Sequence, residues 1–487
     1  MQLKKLLNQV NLPQIPSQFQ RLEIKSISCD SREVAPGGLF VAVSGPTRDG
    51  ADFISDAVGK GARVVITSGK APRVALPEDV CLIGVADARR AWKEIVHSFF
   101  GDPSHKVRTF GVTGTNGKTT VTYLIESILR ESGAPCGIMG TIGHRLGSEV
   151  IAAKNTTPGL LENQRLLSEM VRKKIPYCAM EVSSHALEQG RVELIDFAAA
   201  VFTNLTGDHL DYHHDMESYF QAKASLFTNL GVRATAVINT DDAYGRRLVS
   251  MTPAQVLTYG LTGKPAVTAS EVQLNFRGSR FQLATPAGNI SVDTPLIGRH
   301  NVYNILAASA TCLSQGVSPK AIRDGIQRLK GVPGRLERVT DSQAFEVFVD
   351  YAHTEDALRN VLGSLRDVSP NRIILVFGCG GDRDKTKRPK MGRVASQMAD
   401  FVIITSDNPR SEDPVAIMAE IRRGCERKNY SLLEDRQAAI RGALEMAKAS
   451  DIVLIAGKGH EDYQVFKDRT IHFDDREVVR ELLRCSR

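Results

Sequence analysis

Short β-branched and aromatic runs alternate along this chain with longer stretches whose apolar residues recur three and four positions apart. Val107 to Val112, Tyr177 to Val182, Phe197 to Phe202 and Ala234 to Ile238 are continuous, apolar and bounded by polar residues, which predicts buried strands. Between them, Val121 to Leu129 and Met216 to Phe227 have the spacing of amphipathic helices. The same alternation returns with strands predicted at Phe345 to Val349, Arg372 to Phe377, Phe401 to Thr405 and Asp451 to Ala456. Near the start, Gly61 to Thr67 reads as a strand and Asp87 to Phe100 as a helix. Residues 265 to 297 differ: polar and apolar positions alternate singly with few helix formers, the pattern of a small antiparallel insertion. Strand–helix alternation of this kind implies an α/β class with mostly parallel sheets.

The chain has 487 residues, too long for one core, and length alone suggests about three domains. The boundaries drawn from the pattern are 1–102, 103–332 and 333–487. A hydrophobic content of 42% and a charged content of 24% are those of an ordinary soluble protein. The formal charge of +7 suits anionic substrates, although a solvated surface excess explains it equally well. No basic arm is interleaved with aromatics, so nucleic acid is not an expected partner. No run is long enough to span a membrane, and the first residues are too polar for a signal peptide. The eight cysteines show no Cys-x-x-Cys spacing, so neither zinc nor a disulfide framework is indicated, and a cytoplasmic protein is expected.

Candidate chemistry starts at Gly111-Val-Thr-Gly-Thr-Asn-Gly-Lys-Thr-Thr120, placed between a predicted strand and a predicted helix. Glycines let backbone N–H groups curl around phosphate oxygens, and the helix N-terminus adds positive potential. Lys118 then reaches the terminal phosphates and the Thr119 hydroxyl helps to hold Mg2+. The strict pattern asks for glycine where Val112 stands. Glu181, at a strand end, is a candidate Mg2+ ligand or a carboxylate facing solvent. Asp208, His209, Asp211, His213 and His214 crowd one loop, which suits metal or phosphate chemistry or an inert surface. Lys223 on its own reads as a solvated lysine. Asp407-Asn-Pro-Arg410 leaves a strand directly, and its arginine fork either grips a carboxylate or belongs to a helix-capping turn. Gly457-Lys-Gly-His-Glu461 closes the last strand in a similar way, Gly378 to Arg383 is a weak glycine cluster, and Asp30-Ser-Arg32 alone is a turn.

Taken together, these motifs resemble the Mur ligase family, over nearly the whole chain. The resemblance rests on Gly114 to Thr120, Asn155-Thr-Thr-Pro-Gly159, Glu181-Val-Ser-Ser-His185, Thr203 to His213, Gly298 to Asn304, Gly334-Arg-Leu-Glu337 and Asp350-Tyr-Ala-His353. The family's own phosphate loop begins Gly-Thr-Asn-Gly-Lys, which accounts for Val112. Asp30-Ser-Arg32, Gly380 to Lys385, Asp407 to Arg410 and Gly457 to Glu461 are similar to members that add meso-2,6-diaminopimelate.

The resemblance implies three domains: an N-terminal UDP-binding α/β domain, a central P-loop ATPase-like domain and a C-terminal Rossmann-like domain. It implies an ATP-dependent ligase acting on UDP-N-acetylmuramoyl-L-alanyl-D-glutamate through an acyl phosphate, with Mg2+, as an expected monomer. Carried over by motif, Gly114, Thr115, Asn116, Gly117, Lys118, Thr119, Thr120, Asn301, Arg335 and Asp350 take ATP. Thr119, Glu181, His209 and Lys223 take the metal, with Lys223 carbamylated to N6-carboxylysine, and Lys118, Lys223, His209 and Glu181 are the catalytic set. Ser31, Thr156, Thr157, Ser183, Gln189 and Arg191 hold the UDP-muramoyl peptide. Arg383, Asp407, Asn408, Pro409, Arg410, Gly457 and Glu461 hold diaminopimelate. Rival readings are a lysine-adding ligase of the same kind, a folylpolyglutamate synthetase, which lacks a separate uridine-binding domain, and a nucleotide-dependent switch.

Overall fold

The computed structural model describes residues 1–8, 10, 15–45, 48–68, 76–208, 210–339, 344–368 and 371–485, the side chains of 210, 211 and 485 aside. It separates into two compact units. The first contains a parallel sheet in the order β1 (Ile27–Ser28), β2 (Gly38–Ala42), β3 (Ala62–Thr67) and β4 (Cys81–Gly84). The helix Ala88–Phe100 packs here because Ala88, Ala91, Trp92, Ile95 and Val96 share its buried face. Asp87 caps it by accepting from the N–H groups of Arg89 and Arg90. Pro158–Pro176 and Glu188–Asp196 also belong to this unit, and Leu160, Leu161 and Leu194 pack against its core.

The second unit holds the remaining sheets. An eight-stranded sheet contains β5 (Arg108–Thr113), β6 (Cys136–Met139), β7 (His144–Leu146), β8 (Glu149–Ile151), β9 (Tyr177–Glu181), β10 (Phe197–Phe202), β11 (Thr235–Asn239) and β12 (Gln255–Tyr259). Its order is β12-β11-β10-β5-β9-β6-β7-β8. Strands β12, β11, β10 and β5 run parallel, as do β6 and β9, whereas β7 and β8 return antiparallel. Helices Lys118–Glu131 and Arg299–Ser314 cover it, contributing Leu124, Ile128, Ile305 and Leu306 to one core. The expected insertion is a three-stranded antiparallel sheet of β13 (Thr268–Asn275), β14 (Gly278–Thr285) and β15 (Gly288–Thr294).

A six-stranded sheet follows, with β16 (Glu337–Arg338), β17 (Glu346–Asp350), β18 (Ile373–Phe377), β19 (Phe401–Ile404), β20 (Tyr430–Leu432) and β21 (Ile452–Ala456). The order β16-β17-β21-β18-β19-β20 puts the last long strand between the second and third, and all but β16 run parallel. Both faces are covered, so β18 and β21 are apolar at every position instead of alternating. Each of those buried aliphatic side chains stabilises the fold by about 1.5–3 kcal/mol. A hairpin of β22 (Tyr463–Val465) and β23 (Thr470–His472) ends the strand inventory of the described residues. Ligands gather outside the carboxyl ends of such parallel strands. Here the carboxyl ends of β17, β18, β19 and β21 carry Asp350, the glycine cluster from Gly378, the Asp407–Arg410 segment and Gly457–Glu461, respectively.

Candidate active site

The phosphate loop is shaped by its backbone. Val112 lies inside β5, fully buried and paired with Val201, so glycine is not needed there. Gly114 and Gly117 have φ of 141° and 90°, and a Cβ on them would overlap the Thr203 hydroxyl and the Asn304 amide oxygen. Only glycine fits both demands. Asn204 holds the loop from outside, its amide oxygen accepting from the Asn116 N–H at 3.0 Å and its carbonyl from the Thr115 N–H at 2.9 Å. The Lys118 ammonium folds onto the loop and donates to the Gly114 and Thr115 carbonyls, both at 2.8 Å. Burial lowers its pKa, an effect opposed by Glu181 and Asp208.

Thr119 joins the phosphate loop to Glu181 at the end of β9 and to Arg335 just before β16. Arg335 Nη2 donates to the Thr119 hydroxyl at 3.1 Å, and that hydroxyl donates to Glu181 Oε2 at 3.0 Å. Glu181 is 1% exposed, not solvent-facing, and its Oε1 accepts from the Thr141 N–H at 2.9 Å. A hydroxyl and a carboxylate set side by side form an all-oxygen donor set, which fits Mg2+. His209 lies outside the described residues. Of its neighbours, His213 is buried with Nε2 2.8 Å from the Ser184 hydroxyl. No cluster of three or more His, Cys, Asp or Glu side chains arranged for a metal occurs among the described residues.

Lys223 corrects the solvated reading. It is 1% exposed on the helix Met216–Thr228, donates to the Gly114 carbonyl at 2.9 Å and lies 4.5 Å from the Tyr219 ring centre. Burial, then the charge of Lys118, drives its pKa well below the ordinary lysine value. The helix turns it inward because Tyr219, Phe220, Ala224 and Phe227 share the buried surface.

Asn116, Gly117, Thr120, Asn301, Arg335 and Asp350 line one cavity of about 490 Å³. Asp350 accepts from the N–H groups of Leu336 and Ala352, and burial raises its pKa against the pull of Arg335. Asn301 is fixed by the Ile297 carbonyl and by the Asn304 amide. Asn116 and Thr206 both donate to Asp356 Oδ2, which ties the phosphate loop to the helix after β17.

Thr156, Arg383, Asp407, Asn408, Arg410, Gly457 and Glu461 line a larger cleft of about 860 Å³, together with Lys154, Lys387 and Lys390. Carboxylates of Asp208, Glu355 and Asp384 also line it, so the cleft presents both signs of charge. Asn408 is 2% exposed and its amide nitrogen donates to Glu461 Oε2 at 2.8 Å. Arg410, held in the left-handed region at φ 52°, anchors Nη1 on the Gly381 carbonyl at 2.8 Å. Such a conformation is costly for a non-glycine residue and persists where surrounding contacts impose it. Pro409 is buried behind these side chains. Burial raises the Glu461 pKa, and Lys458 opposes that rise.

The remaining candidates lie apart from the cleft lining. The Thr157 hydroxyl donates to the Glu181 carbonyl at 2.9 Å and accepts from the Ser183 N–H at 3.0 Å. Ser31, Gln189 and Arg191 belong to the first unit, where Arg191 donates to the Gln189 side-chain oxygen and Ser31 is buried in the turn that Asp30 caps.

Three family profiles match in succession: "Mur ligase family, catalytic domain" over residues 23–99, "Mur ligase middle domain" over 112–312, and "Mur ligase, glutamate ligase domain" over 334–459. A protein of Solibacter usitatus, named UDP-N-acetylmuramoyl-L-alanyl-D-glutamate–2,6-diaminopimelate ligase, is 46% identical over 490 residues, 99% of this chain and 98% of that protein. A Clostridium acetobutylicum protein of that name, numbered 1, is 45% identical over 486 residues, 99% of both chains. The chain is a Mur ligase. A solved structure of a UDP-N-acetylmuramoyl-L-alanyl-D-glutamate–2,6-diaminopimelate ligase aligns with this Mur ligase at TM-score 0.71 and 34% identity, covering 100% and 99% of the two chains. Mycobacterium tuberculosis folylpolyglutamate synthase, at 19% identity and TM-score 0.62, covers 74% of the ligase and shares the fold.

Thr141 lines the cleft, and Arg388, Arg436 and Lys458 brace its loops from outside the lining; sequence reasoning gave none of them a role, although Lys458 stands in the Gly457–Glu461 motif. Arg388 is fully buried, pairs with Glu412 and Glu420, and donates to the Gly380 carbonyl at 3.3 Å. Arg436, paired with Asp475 at 2.7 Å, reaches the carbonyls of Ser406 and Ala456, the residues just before Asp407 and Gly457. Apart from Gly380, eight residues before Arg388, the partners of these two arginines are 20 to 39 residues away in the chain, so no local motif marked them.

Proposed function

We propose that this Mur ligase uses ATP to join meso-2,6-diaminopimelate to the D-glutamate side-chain carboxylate of UDP-N-acetylmuramoyl-L-alanyl-D-glutamate. The observation that supports the amino-acid choice is that the Arg410 guanidinium, the Asn408 amide and the Glu461 carboxylate line one cleft, with the Asn408 amide bonded to Glu461. The distal end of diaminopimelate carries a carboxylate and an ammonium on one carbon, which needs a cation and an anion side by side. Lysine lacks that carboxylate and leaves the arginine unpaired, and sites built to hydrogen-bond a group reject analogues that lack it. Residues 1–102 take the UDP end, 103–332 take ATP, and 333–487 take the amino acid.

The glutamate carboxylate oxygen attacks the γ-phosphorus, ADP leaves, and an acyl phosphate forms. The diaminopimelate amine, having lost a proton, attacks the acyl carbon, and inorganic phosphate departs as the amide forms. In this reading Lys118 neutralises charge on the transferred phosphoryl group, and Arg335 orients the Thr119 hydroxyl. Thr119 and Glu181 would hold Mg2+, with His209 and a carbamylated Lys223 serving a second ion. When bound, magnesium would supply positive charge to the reaction. The depressed Lys223 pKa favours the neutral amine, the form that reacts with CO2.

The deciding experiment is phosphate release with ATP and the UDP-muramoyl dipeptide, comparing meso-diaminopimelate with L-lysine. Release with diaminopimelate alone is expected. Equal use of lysine removes the role given to Arg410, and release needing neither amino acid nor dipeptide indicates a different ATPase.

A further inference from the structure

Beside the Asn408–Glu461 pair, Lys458 stands out because it is fully buried yet lies outside the cleft lining. Its ammonium donates to the Tyr463 carbonyl, to Glu461 Oε2 at 3.2 Å and to Asn408 Oδ1 at 3.4 Å. Asn408 Oδ1 also accepts from the Val465 N–H at 3.0 Å. With two donors on its oxygen, the amide has one workable rotamer, and its nitrogen turns to Glu461 at 2.8 Å. Flipped, the NH2 group would meet an ammonium and a backbone N–H.

We infer that Lys458 is the positioning residue of the amino-acid cleft: it locks the Asn408 amide with its nitrogen toward the ligand side and keeps the Glu461 carboxylate charged. This rests on the reading that Glu461 receives the distal ammonium of diaminopimelate. A carboxylate buried without a cation drifts toward its neutral form, and a neutral Glu461 cannot pair with an ammonium. The groups facing Glu461 are few. Asp407 pushes it toward the neutral form, Lys458 and the buried Arg436 act the other way, and the phenols of Tyr351 and Tyr463, their own pKa raised by burial and by Glu461, stay neutral beside it. Arg436 is already committed to Asp475, so removing Lys458 leaves Glu461 with no close cation among the described residues.

The test is the Michaelis constant of the full-length enzyme for diaminopimelate, ATP and the UDP-muramoyl dipeptide between pH 6 and 8.5. Lys458→Met is expected to raise the diaminopimelate KM about 10- to 100-fold near neutral pH, the size of a lost charged hydrogen bond. That deficit shrinks as pH rises and Glu461 regains its charge, while the other two constants stay within about two-fold. Lys458→Arg retains much of the wild-type value. In a Glu461→Gln background, Lys458→Met adds no pH dependence. A pH-independent rise in all three constants, or wild-type behaviour, overturns the inference. Should Lys458→Met not fold, Lys458→Gln serves the same measurement. An unchanged diaminopimelate KM in Glu461→Gln itself overturns the site reading, whereas a raised one with a silent Lys458→Met overturns the lysine's role alone.

Discussion

At the phosphate loop, Gly114, Thr115 and Lys118 are near neighbours in sequence, and the lysine is anchored on carbonyls three and four residues away. At the amino-acid cleft, Asn408 and Glu461 are 53 residues apart, and the loops that carry them are tied down by Arg388 and Arg436 from other elements and by Lys458, which reaches from the Glu461 loop to Asn408. The first site is shaped by backbone conformation, the second by buried charge. Damage should therefore differ in kind. A change in the loop removes chemistry and leaves the fold, and a change in a cleft anchor disturbs the fold or one substrate.

The sharpest break is Lys118→Ala. Phosphoryl transfer depends on charge placed against the migrating group, so ATP turnover is expected to fall by roughly 10³- to 10⁵-fold. Thermal unfolding followed beside turnover should show little change, since the Lys118 ammonium bonds the Gly114 and Thr115 carbonyls of its own loop. A large loss of stability would mean that the loop, too, relies on charge for its shape.

Arg436→Met tests the opposite side. Arg436 and Asp475 are both 0% exposed, and removing one partner of such a pair costs about 3–5 kcal/mol. Chemical denaturation should register that loss in full. Adding Asp475→Asn should recover part of it, because an unpaired buried carboxylate is the larger penalty. Recovery by the double variant without recovery of diaminopimelate affinity would separate the fold-holding role from the carbonyls of Ser406 and Ala456.

Arg410→Ala lies between these extremes. Loss of one charged contact predicts a diaminopimelate KM higher by about 10- to 100-fold with the ATP constant unchanged, and a smaller preference over lysine. A parallel rise in both constants would show that the strained Arg410 backbone, not its guanidinium, organises the cleft.

The same contrast explains what the sequence disclosed. β-branched runs predicted the strands of both sheets, the single alternation after residue 265 predicted the antiparallel insertion, and glycine spacing located the phosphate loop, because each signal is local. Lys223 misled as a solvated side chain. Its burial depends on helix Met216–Thr228 placing it against Gly114, which is 109 residues distant. Glu181 was ambiguous for a similar reason: its partners Thr119, in the first turn of helix Lys118–Glu131, and Thr141, just after β6, are 62 and 40 residues away. The anchors Arg388, Arg436 and Lys458 look like ordinary surface cations in one dimension, and only tertiary contact gives them carbonyls to hold.

The smallest expected effect comes from the cavity of about 490 Å³, where His300 lines the wall. Burial drops the His300 pKa to about 4 from an ordinary value of 6.5, and its Nδ1 lies 2.8 Å from the Ser364 hydroxyl. The folded chain thus keeps this imidazole neutral down to about pH 4, while the unfolded chain takes up a proton near pH 6.5. The unfolded state binds more protons in that window, so the stability present above pH 6.5 is lost as pH falls toward 4. Between pH 7.5 and 5.5 the loss from this one group is about 1 kcal/mol. His460 has the same depressed value, and burial lowers His353 as well, so His300→Gln should remove one share of the acid sensitivity and not all of it. Urea midpoints at the two pH values measure this directly: the gap narrows in His300→Gln if burial sets the imidazole's charge, and stays at the wild-type width if the cavity admits enough water to protonate it.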